Sequence, residues 1–256
     1  MIRIAAVGDV HFDRASRGRL RPHLERLTDH ADVFLVAGDW TAFGDPDEAA
    51  IGGAELGELG VPVLAVLGNH DFHLGRESEI RTTLERAGIR VLEGESETIR
   101  VNGTTLGVAG VKGFGGGFAG ACATDFGEAE MKAFVRHTRT VSEALEDELR
   151  TLDADVKIAL LHYSPVEMTL AGERPEIYPF LGSYLLGEAV DRAGADLVLH
   201  GHAHRGQENG VTPGGIHVRN VALPVIQHAY NLYNVEARAQ GRSEAFPGLR
   251  RRVGDL

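Results

Sequence analysis

The sequence predicts an α/β fold in which a parallel β-sheet is flanked by helices. Two observations carry this prediction. Apolar runs alternate with helical patterns from the N-terminus to about residue 88, and most apolar runs end in aspartate, asparagine or histidine. Alternation of this kind is typical of βαβ units, in which each helix returns the chain to the start of the next parallel strand.

The first part of the chain contains the clearest elements. Short apolar runs predict buried strands, and apolar residues three or four positions apart predict helices. Residues 18–29 place Leu20, Leu24 and Leu27 on one helical face. In chain order, the sequence predicts strand 2–7, helix 18–29, strand 33–37, helix 48–59, strand 61–67 and helix 78–87.

The later part of the chain departs from strict alternation. Asn102-Gly103 predicts a hairpin turn, so the sheet is mixed or a second sheet is present. Residues 114–121 are rich in glycine and predict a loop. The remaining predicted elements are strands 98–101 and 105–109, a long helix at about 128–152, strand 156–161, a helix ending at 187–193, and strands 197–199, 217–221 and 231–235.

Composition limits the classes of function. The chain has 256 residues, 43% of them hydrophobic, and a formal net charge of −11. This size suits one large α/β domain or two small ones. We place one domain at residues 1–236, before a polar and poorly ordered tail at 237–256. The acidic balance and the lack of a basic stripe argue against tight binding to nucleic acid.

Cysteine usage and hydropathy indicate the compartment. Cys122 is the single cysteine of the sequence, so the fold needs no disulfide. The apolar run at the N-terminus is too short for a signal peptide, and no stretch approaches the roughly 20 apolar residues that span a bilayer. These features predict a cytoplasmic protein without a membrane anchor.

The polar residues at the predicted strand ends form a candidate metal centre. In open α/β sheets, ligands gather at the carboxyl ends of the strands. Clustered carboxylates and imidazoles, with no lysine or arginine beside them, would repel one another unless a cation bound there. Mixed nitrogen and oxygen ligands suit Zn, Mn, Fe or Ni better than Ca or Mg.

Five blocks of such residues occur in a fixed order. They are Asp9-x-His11, Gly38-Asp39, Gly68-Asn69-His70-Asp71, His162 and Gly201-His202-x-His204. With these blocks the chain resembles the calcineurin-like metallophosphoesterase family over residues 9 to 204. The resemblance implies a four-layer α/β/β/α sandwich of two mixed β-sheets flanked by helices, with residues 1–236 as the catalytic domain.

The resemblance also implies a role for each position. Asp39 would bridge two metal ions, Mn or Fe in preference to Zn or Ni. A hydroxide between the metals would attack phosphorus in line with the leaving oxygen. His70 would protonate the leaving group, and Asp71 would orient the His70 ring. The other implied ligands are Asp9, His11 and His204 for one metal and Asn69, His162 and His202 for the other.

Structural alternatives stay open for individual residues. Asp9 and Asp39 are also good helix N-caps, Asn69 a turn residue, and His162 a core histidine. His200 lies outside the family pattern and is assigned a structural or supporting role. A cleft-wall position is assigned to Trp40, and substrate selectivity to segments 113–120 and 168–183. Further candidates for the cleft, each weaker than its structural alternative, are Arg14, His137, His217 and His228.

The leading functional hypothesis is hydrolysis of a phosphodiester or phosphomonoester in a small phosphorylated metabolite or nucleotide. One alternative is a nuclease subunit that acts with a partner, and another is a catalytically silent scaffold on the same fold. The intact set of candidate ligands argues against the scaffold. The substrate, the native metals and the choice between monomer and homo-oligomer are left open.

Overall fold

The computed structural model of the protein describes residues 1–237. Of the predicted tail at 237–256, all but Ala237 lies outside the described residues. The strands in chain order are β1 (Ile2–Val7), β2 (Val33–Ala37), β3 (Val63–Val66), β4 (Ile89–Val91), β5 (Glu95–Val101), β6 (Thr104–Val111), β7 (Gly117–Phe118), β8 (Ala121–Cys122), β9 (Val156–Leu161), β10 (Leu197–His200), β11 (Asn209–Val211), β12 (His217–Asn220) and β13 (Asn231–Val235).

The helices connect these strands. In chain order they are α1 (Leu27–His30), α2 (Pro46–Leu56), α3 (Glu77–Arg86), α4 (Ala129–Thr151), α5 (Tyr178–Leu181), α6 (Tyr184–Ala193) and α7 (Leu223–Ile226). Within residues 1–237, no helix combines the length and the apolar character that a bilayer crossing requires.

Two large sheets form the centre of the molecule. The first has the order β13-β1-β2-β3-β4, with parallel pairing except at β13. The second has the order β11-β12-β10-β9-β6-β5, in which the outer strands β11 and β5 pair antiparallel with their neighbours. Both sheets are therefore mixed, as the family resemblance implied. The hairpin signal had left open a mixed sheet or a second sheet.

Successive side chains on a strand point to opposite faces of its sheet, and this alternation gives three packed interfaces between the layers. On β1, Ile4 and Ala6 face the second sheet, whereas Ala5 and Val7 join the cluster that includes residues of α2 and α3. The outer face of the second sheet packs against α4 and α6, where Leu145 is fully buried. Because every strand face in the centre is covered, these strands are apolar throughout. The four-layer α/β/β/α prediction is confirmed.

The predicted hairpin is present and longer than expected. Strands β5 and β6 pair antiparallel from Glu95↔Gly110 to Val101↔Thr104. Both turn residues have positive φ, 48° at Asn102 and 86° at Gly103, as a type I′ turn requires. The hairpin carries the chain into the second sheet, whose strand β6 then pairs parallel with β9.

The prediction of one helix at 18–29 is wrong. The chain forms a short 3₁₀ turn at Arg21–Leu24 and a single α-turn at Leu27–His30. The cause is tertiary, because the Glu55 carboxylate accepts hydrogen bonds from the backbone N–H groups of Gly18, Leu20 and Arg21. These bonds hold the first turn open, although Leu24 and Leu27 still reach the core.

Short strands account for the other differences. The glycine-rich segment 114–121 is not wholly a loop, because Gly117–Phe118 pairs with Ala121–Cys122. Two further strands, β4 and β11, were not predicted. Each has three residues and lies at a sheet edge, too short for alternation to be visible in the sequence.

Candidate metal centre

The predicted site residues meet where the carboxyl ends of both sheets come together. Backbone hydrogen bonds join the loops there, because Asp9 donates to the carbonyl of Gly38 and His11 to that of Asp39. The segments that follow β1, β2, β3, β9 and β10 contribute the polar side chains, which are Asp9, His11, Asp39, Asn69, His162, His202 and His204.

Several of these residues have an unusual backbone conformation. Asp9, His11, Asp39 and His202 have φ values of 57°, 45°, 53° and 70°. Left-handed conformations in residues with a side chain cost of order 1–3 kcal/mol each and concentrate at functional sites. This backbone conformation directs each side chain towards the cluster. The sequence gives no sign of this backbone conformation, apart from the glycines that precede Asp9, Asp39 and His202.

One group of side chains has four members. One ligand atom from each of Asp9, His11, Asp39 and His204 lies within 4.8 Å of the others. The Nε2 atom of His204 is 2.8 Å from Oδ1 of Asp9 and 3.4 Å from Nε2 of His11. His11 Nε2 is 3.7 Å from Oδ2 of Asp39. These separations leave the atoms facing a common point, as ligands of one cation would.

A second group shares Asp39 with the first. It consists of Asp39, His162 and His202. His162 Nε2 is 3.4 Å from Oδ1 of Asp39 and 3.0 Å from Oδ1 of Asn69, which adds an amide oxygen to the group. The other nitrogen of His162 donates to the carbonyl of Ala37 at 2.8 Å. This bond orients the ring and leaves the Nε2 lone pair directed into the site.

His202 is oriented in the same manner from the opposite side. Its Nε2 lies 3.2 Å from the carbonyl of Phe180, to which it donates, so Nδ1 keeps a free lone pair. Burial lowers the pKa of His202 to about 3 and the pKa of His11 to about 4. Both imidazoles are therefore neutral at pH 7, the form that binds metal ions.

The shared carboxylate is the strongest indication that cations belong here. Asp39 is 1% exposed, and its Oδ2 atom has no hydrogen-bond partner among the described residues. In the protein without metal, burial raises the pKa of Asp39 to about 9, and the carboxylates of Asp9 and Asp71 add to the shift. A buried carboxylate without a partner is costly, and a cation on each side would remove that cost. The residues present therefore fit a two-metal centre.

Two glycines make room for the carboxylates. A Cβ atom at Gly68 would overlap Oδ1 and the backbone nitrogen of Asp39, and one at Gly201 would overlap Oδ2 of Asp9. Neither glycine has a positive φ. Their role is therefore the close approach of backbone to a candidate ligand, rather than conformational freedom.

Replacing Gly68 by alanine should disturb the site through this contact. We expect a loss of stability of about 1–3 kcal/mol, which lowers the melting temperature by roughly 2–10 °C, together with reduced metal content. Gly88→Asn is the control, since a Cβ there meets open space and asparagine tolerates the positive φ. Full metal content in Gly68→Ala would show that Asp39 does not need this space.

The structure corrects the role predicted for Asp71. The His70 ring is oriented by the carbonyl of Ala42, to which Nδ1 donates at 2.8 Å. Asp71 is fully buried and connects the loops after β2 and β3 instead. Its oxygens accept from the backbone N–H groups of Trp40, Thr41 and Gly68 and from the Thr41 hydroxyl.

His70 itself lies at the edge of the cluster. Its Nε2 is 4.0 Å from Oδ2 of Asp39, and its side chain is 42% exposed. The ring of His11 packs edge-on against it, with centroids 4.4 Å apart. Because Nδ1 is bonded to Ala42, Nε2 is the nitrogen available to a substrate in the open cleft.

Two other neighbours of the site differ from expectation. Trp40 does not line the cleft, because it is fully buried and donates from Nε1 to the carbonyl of Val66. The prediction that no lysine or arginine stands beside the cluster is wrong. The Lys112 ammonium, which follows β6, acts electrostatically on Asp39 and His162. Sequence reasoning missed Lys112 because β6 ends in Val111 without a block of ligand-type residues.

The remaining candidates lie around this centre. His200 is fully buried, with its ring nitrogens 2.9 Å from Thr169 Oγ1 and 2.8 Å from the Gly201 carbonyl, which agrees with a structural role. The segment 168–183 reaches the site through the Phe180 carbonyl. His137 packs edge-on against Phe114 beside the site. The candidates with no contact to the cluster are Arg14 and His217, both exposed, and His228, which lines a separate cavity next to Val10 and Phe12.

Comparisons with known proteins agree with this geometry. The family model described as calcineurin-like phosphoesterase matches residues 2–206, which include every candidate ligand. A comparison with curated protein sequences gave no match. The family assignment therefore rests on the family model.

Solved structures with the same fold include several hydrolases. A phosphopantetheinyl hydrolase from Mycobacterium tuberculosis aligns with a TM-score of 0.63 and 14% identity, covering 96% of this chain and 98% of that one. A putative 5'-nucleotidase from Staphylococcus aureus aligns with a TM-score of 0.55 and 18% identity, covering 86% and 48%. A phosphatase from Mycoplasma pneumoniae aligns with a TM-score of 0.51 and 15% identity, covering 87% and 71%. At these identities the likeness shows a shared fold.

Proposed function

The chain belongs to the calcineurin-like phosphoesterase family, and from this membership we propose that it hydrolyses the phosphate ester of a small metabolite or nucleotide at a two-metal centre. The single observation that carries the proposal is the position of Asp39. This buried carboxylate belongs to both ligand groups and has an oxygen without a partner in the described residues. A bridging carboxylate is what two adjacent cations require.

The ligands divide between two positions around Asp39. We assign Asp9, His11 and His204 to one cation, and Asn69, His162 and His202 to the other. The imidazole nitrogens and carboxylate oxygens suit Mn, Fe, Zn or Ni. Of these we propose Mn or Fe, with Zn or Ni as alternatives. When bound, the two cations would lower the pKa of water between them and neutralise charge on the phosphoryl oxygens, which is the chemistry of in-line hydrolysis.

His70 is the proposed proton donor. Its free Nε2 lies next to Asp39 at the open side of the cleft, where the leaving oxygen of an ester would face it. The Ala42 carbonyl holds the ring in this orientation through Nδ1. Asp71 contributes indirectly, because it fixes the loops that carry Asp39 and His70. Asp71 is therefore a positioning residue in this proposal.

A small substrate fits the charge of the protein better than a nucleic acid does. The formal net charge of −11 repels polyanions at long range, whereas bound cations reverse the field locally. The lone cysteine, Cys122, is exposed and free, which suits a reducing compartment and supports the proposal of a cytoplasmic enzyme. A nuclease subunit would need basic surface from a partner.

Metal restoration tests the proposed function. The purified protein is stripped with a chelator, and Mn, Fe, Zn, Ni or Mg is restored separately. Turnover of bis-p-nitrophenyl phosphate and of p-nitrophenyl phosphate is then measured for each metal. We expect two bound ions per chain and metal-dependent turnover, with Mn or Fe most active. The preferred ester distinguishes a diesterase from a monoesterase.

Metal content, turnover and an added DNA-binding measurement distinguish the alternative functions. Fewer than one bound ion per chain, with no turnover under any metal, would contradict the proposal and favour the silent scaffold. Salt-dependent binding of the metal-loaded protein to DNA would favour the nuclease subunit instead, since counterion release makes such binding weaken steeply with salt.

A further inference from the structure

A cavity opens beside the second ligand group, and nothing in the proposed hydrolysis uses it. Its volume is about 410 Å³, within the range of sites for small molecules. Asn69, a proposed ligand, forms one part of the lining, so the cavity is continuous with the site. The rest of the lining includes Phe72, Glu93, Lys112, Phe114 and Tyr163.

The Lys112 ammonium is the polar centre of this cavity. It lies 4.9, 5.1 and 5.2 Å from the ring centroids of Phe72, Phe114 and Tyr163. Its single hydrogen bond within residues 1–237 goes to the Gly113 carbonyl at 3.2 Å. An ammonium has three donors. Two of them therefore remain available to an acceptor on a bound molecule.

The backbone fixes this lysine relative to the metal centre. The Lys112 carbonyl accepts hydrogen bonds from the backbone N–H groups of both His162 and Tyr163, each at 3.0 Å. The Tyr163 ring then packs against the His202 ring with centroids 4.4 Å apart. A molecule in the cavity would consequently be held in a defined position next to the proposed cations.

Phe72 forms another wall of the cavity. Phe72 lies in the same short 3₁₀ turn as His70, two residues further along the chain. Its side chain is 37% exposed, so part of the ring is free for contact. Phe72 can therefore contact the organic part of a bound ester, which in a phosphomonoester is the leaving group.

An acidic group completes the chemistry of the lining. The Glu93 carboxylate accepts a hydrogen bond from the backbone N–H of Leu67 at 3.0 Å. Burial raises the pKa of Glu93 to about 7, so a negative charge is already costly in this cavity. This cost disfavours an anionic group on the bound molecule. The cavity thus combines aromatic walls with polar atoms on Lys112, His137 and Glu93. Such a lining suits a flat, neutral heteroaromatic ring that has hydrogen-bonding atoms on its edge.

We propose that this cavity binds the leaving group of the ester, and that it takes a flat heteroaromatic group such as a nucleobase. Lys112 donates to an acceptor on the edge of the ring, and Phe72 covers its face. This inference deepens the proposed function and rests on it. It makes Lys112 and Phe72 determinants of substrate specificity.

The test compares esters with and without the base. Turnover of adenosine 5'-monophosphate and guanosine 5'-monophosphate is measured beside ribose 5-phosphate in the metal-loaded protein. Stacking and one hydrogen bond should make kcat/KM for at least one nucleotide about tenfold or more higher, mainly through KM. In Lys112→Met and Phe72→Leu, the ratio of nucleotide to ribose 5-phosphate should fall towards one.

Controls separate this inference from the proposed function. Lys132→Met, on the outer helix α4, should keep the wild-type ratio, and the melting temperature and metal content of each variant show that it is folded. Binding of free adenosine and guanosine, measured by calorimetry, does not depend on turnover. Absence of turnover on every ester would contradict the proposed hydrolase function. Nucleoside binding in that case would still support the proposed binding of a base in the cavity. Equal turnover of all esters, with no nucleoside binding, would overturn the inference alone.

Discussion

Replacing Asp39 by asparagine is expected to remove metal binding and to lower turnover by about 10³-fold or more. The bridging carboxylate would hold both cations, and the charge they supply is worth several kcal/mol, each 1.36 kcal/mol corresponding to about tenfold in rate. Metal content by elemental analysis and turnover of p-nitrophenyl phosphate measure the two effects. Asp153→Asn is the control, because Asp153 is exposed and precedes β9, whereas the candidate ligand His162 follows that strand at its other end.

Without metal, Asp39→Asn should make the protein more stable than the wild type at alkaline pH. The pKa of Asp39, raised to about 9 without metal, lies above its ordinary value of 3.8. Folding therefore favours the protonated form, and the stripped wild type loses stability as the pH rises from about 4 towards 9. Asparagine carries no charge and has no such cost. The melting temperature of stripped Asp39→Asn minus that of the stripped wild type should therefore be larger at pH 8 than at pH 5.

Added metal should reverse the order of the two melting temperatures. With saturating Mn or Fe, the wild type gains binding free energy that the variant cannot gain, and it should melt at the higher temperature. If Asp39→Asn retained two ions per chain, or if the stripped variant were the less stable protein at pH 8, the assignment of Asp39 as a bridging ligand would be wrong.

Replacing His70 by glutamine should lower kcat by about 10²–10⁴-fold for esters with poor leaving groups, the usual contribution of a positioned general acid. Esters of alkyl alcohols need protonation as the bond breaks, whereas p-nitrophenolate leaves without it. The expected loss is therefore large for an alkyl phosphate and small for p-nitrophenyl phosphate. Bound metal should not change, since His70 is outside both ligand groups.

A neighbouring histidine provides the control for this prediction. His73 follows three residues later, is exposed, and lies outside both candidate ligand groups. His73→Gln should leave kcat unchanged for both kinds of ester. An equal loss on alkyl and p-nitrophenyl phosphates in His70→Gln would argue for a binding role in place of proton donation. Loss of metal in this variant would point to a ligand role.

The sequence was most informative where local pattern and tertiary structure agree. Strands β1, β2 and β9 have the predicted bounds because each is an almost wholly apolar run. Strand β13 also has the predicted bounds, although polar and apolar residues are mixed in it. The candidate ligands follow such strands, so their convergence could be predicted from the rule that parallel strands end at one edge. The family resemblance added the pairing of the two sheets.

The errors occurred where distant contacts override local pattern. Leucines at helical spacing indicated a helix at 18–29, but the Glu55 carboxylate binds that backbone from another element. Asp71 is adjacent to His70 in sequence, yet the Ala42 carbonyl orients the ring. Lys112 approaches the site from a strand without a ligand motif. These features depend on which backbone groups meet in space, and spacing along the chain does not encode that.

The order of the ligands along the chain has a consequence for biosynthesis. Asp9 and His204 are in contact although 195 positions separate them. At about 5–20 residues per second, ribosomes need roughly ten to forty seconds to make that stretch. Strand β1 also lacks its β13 neighbour until Val235 has been made, which leaves one of its edges unpaired. The proposed ligand set is complete only once His204 has been made, so the proposed centre would take up both of its cations late in synthesis or afterwards.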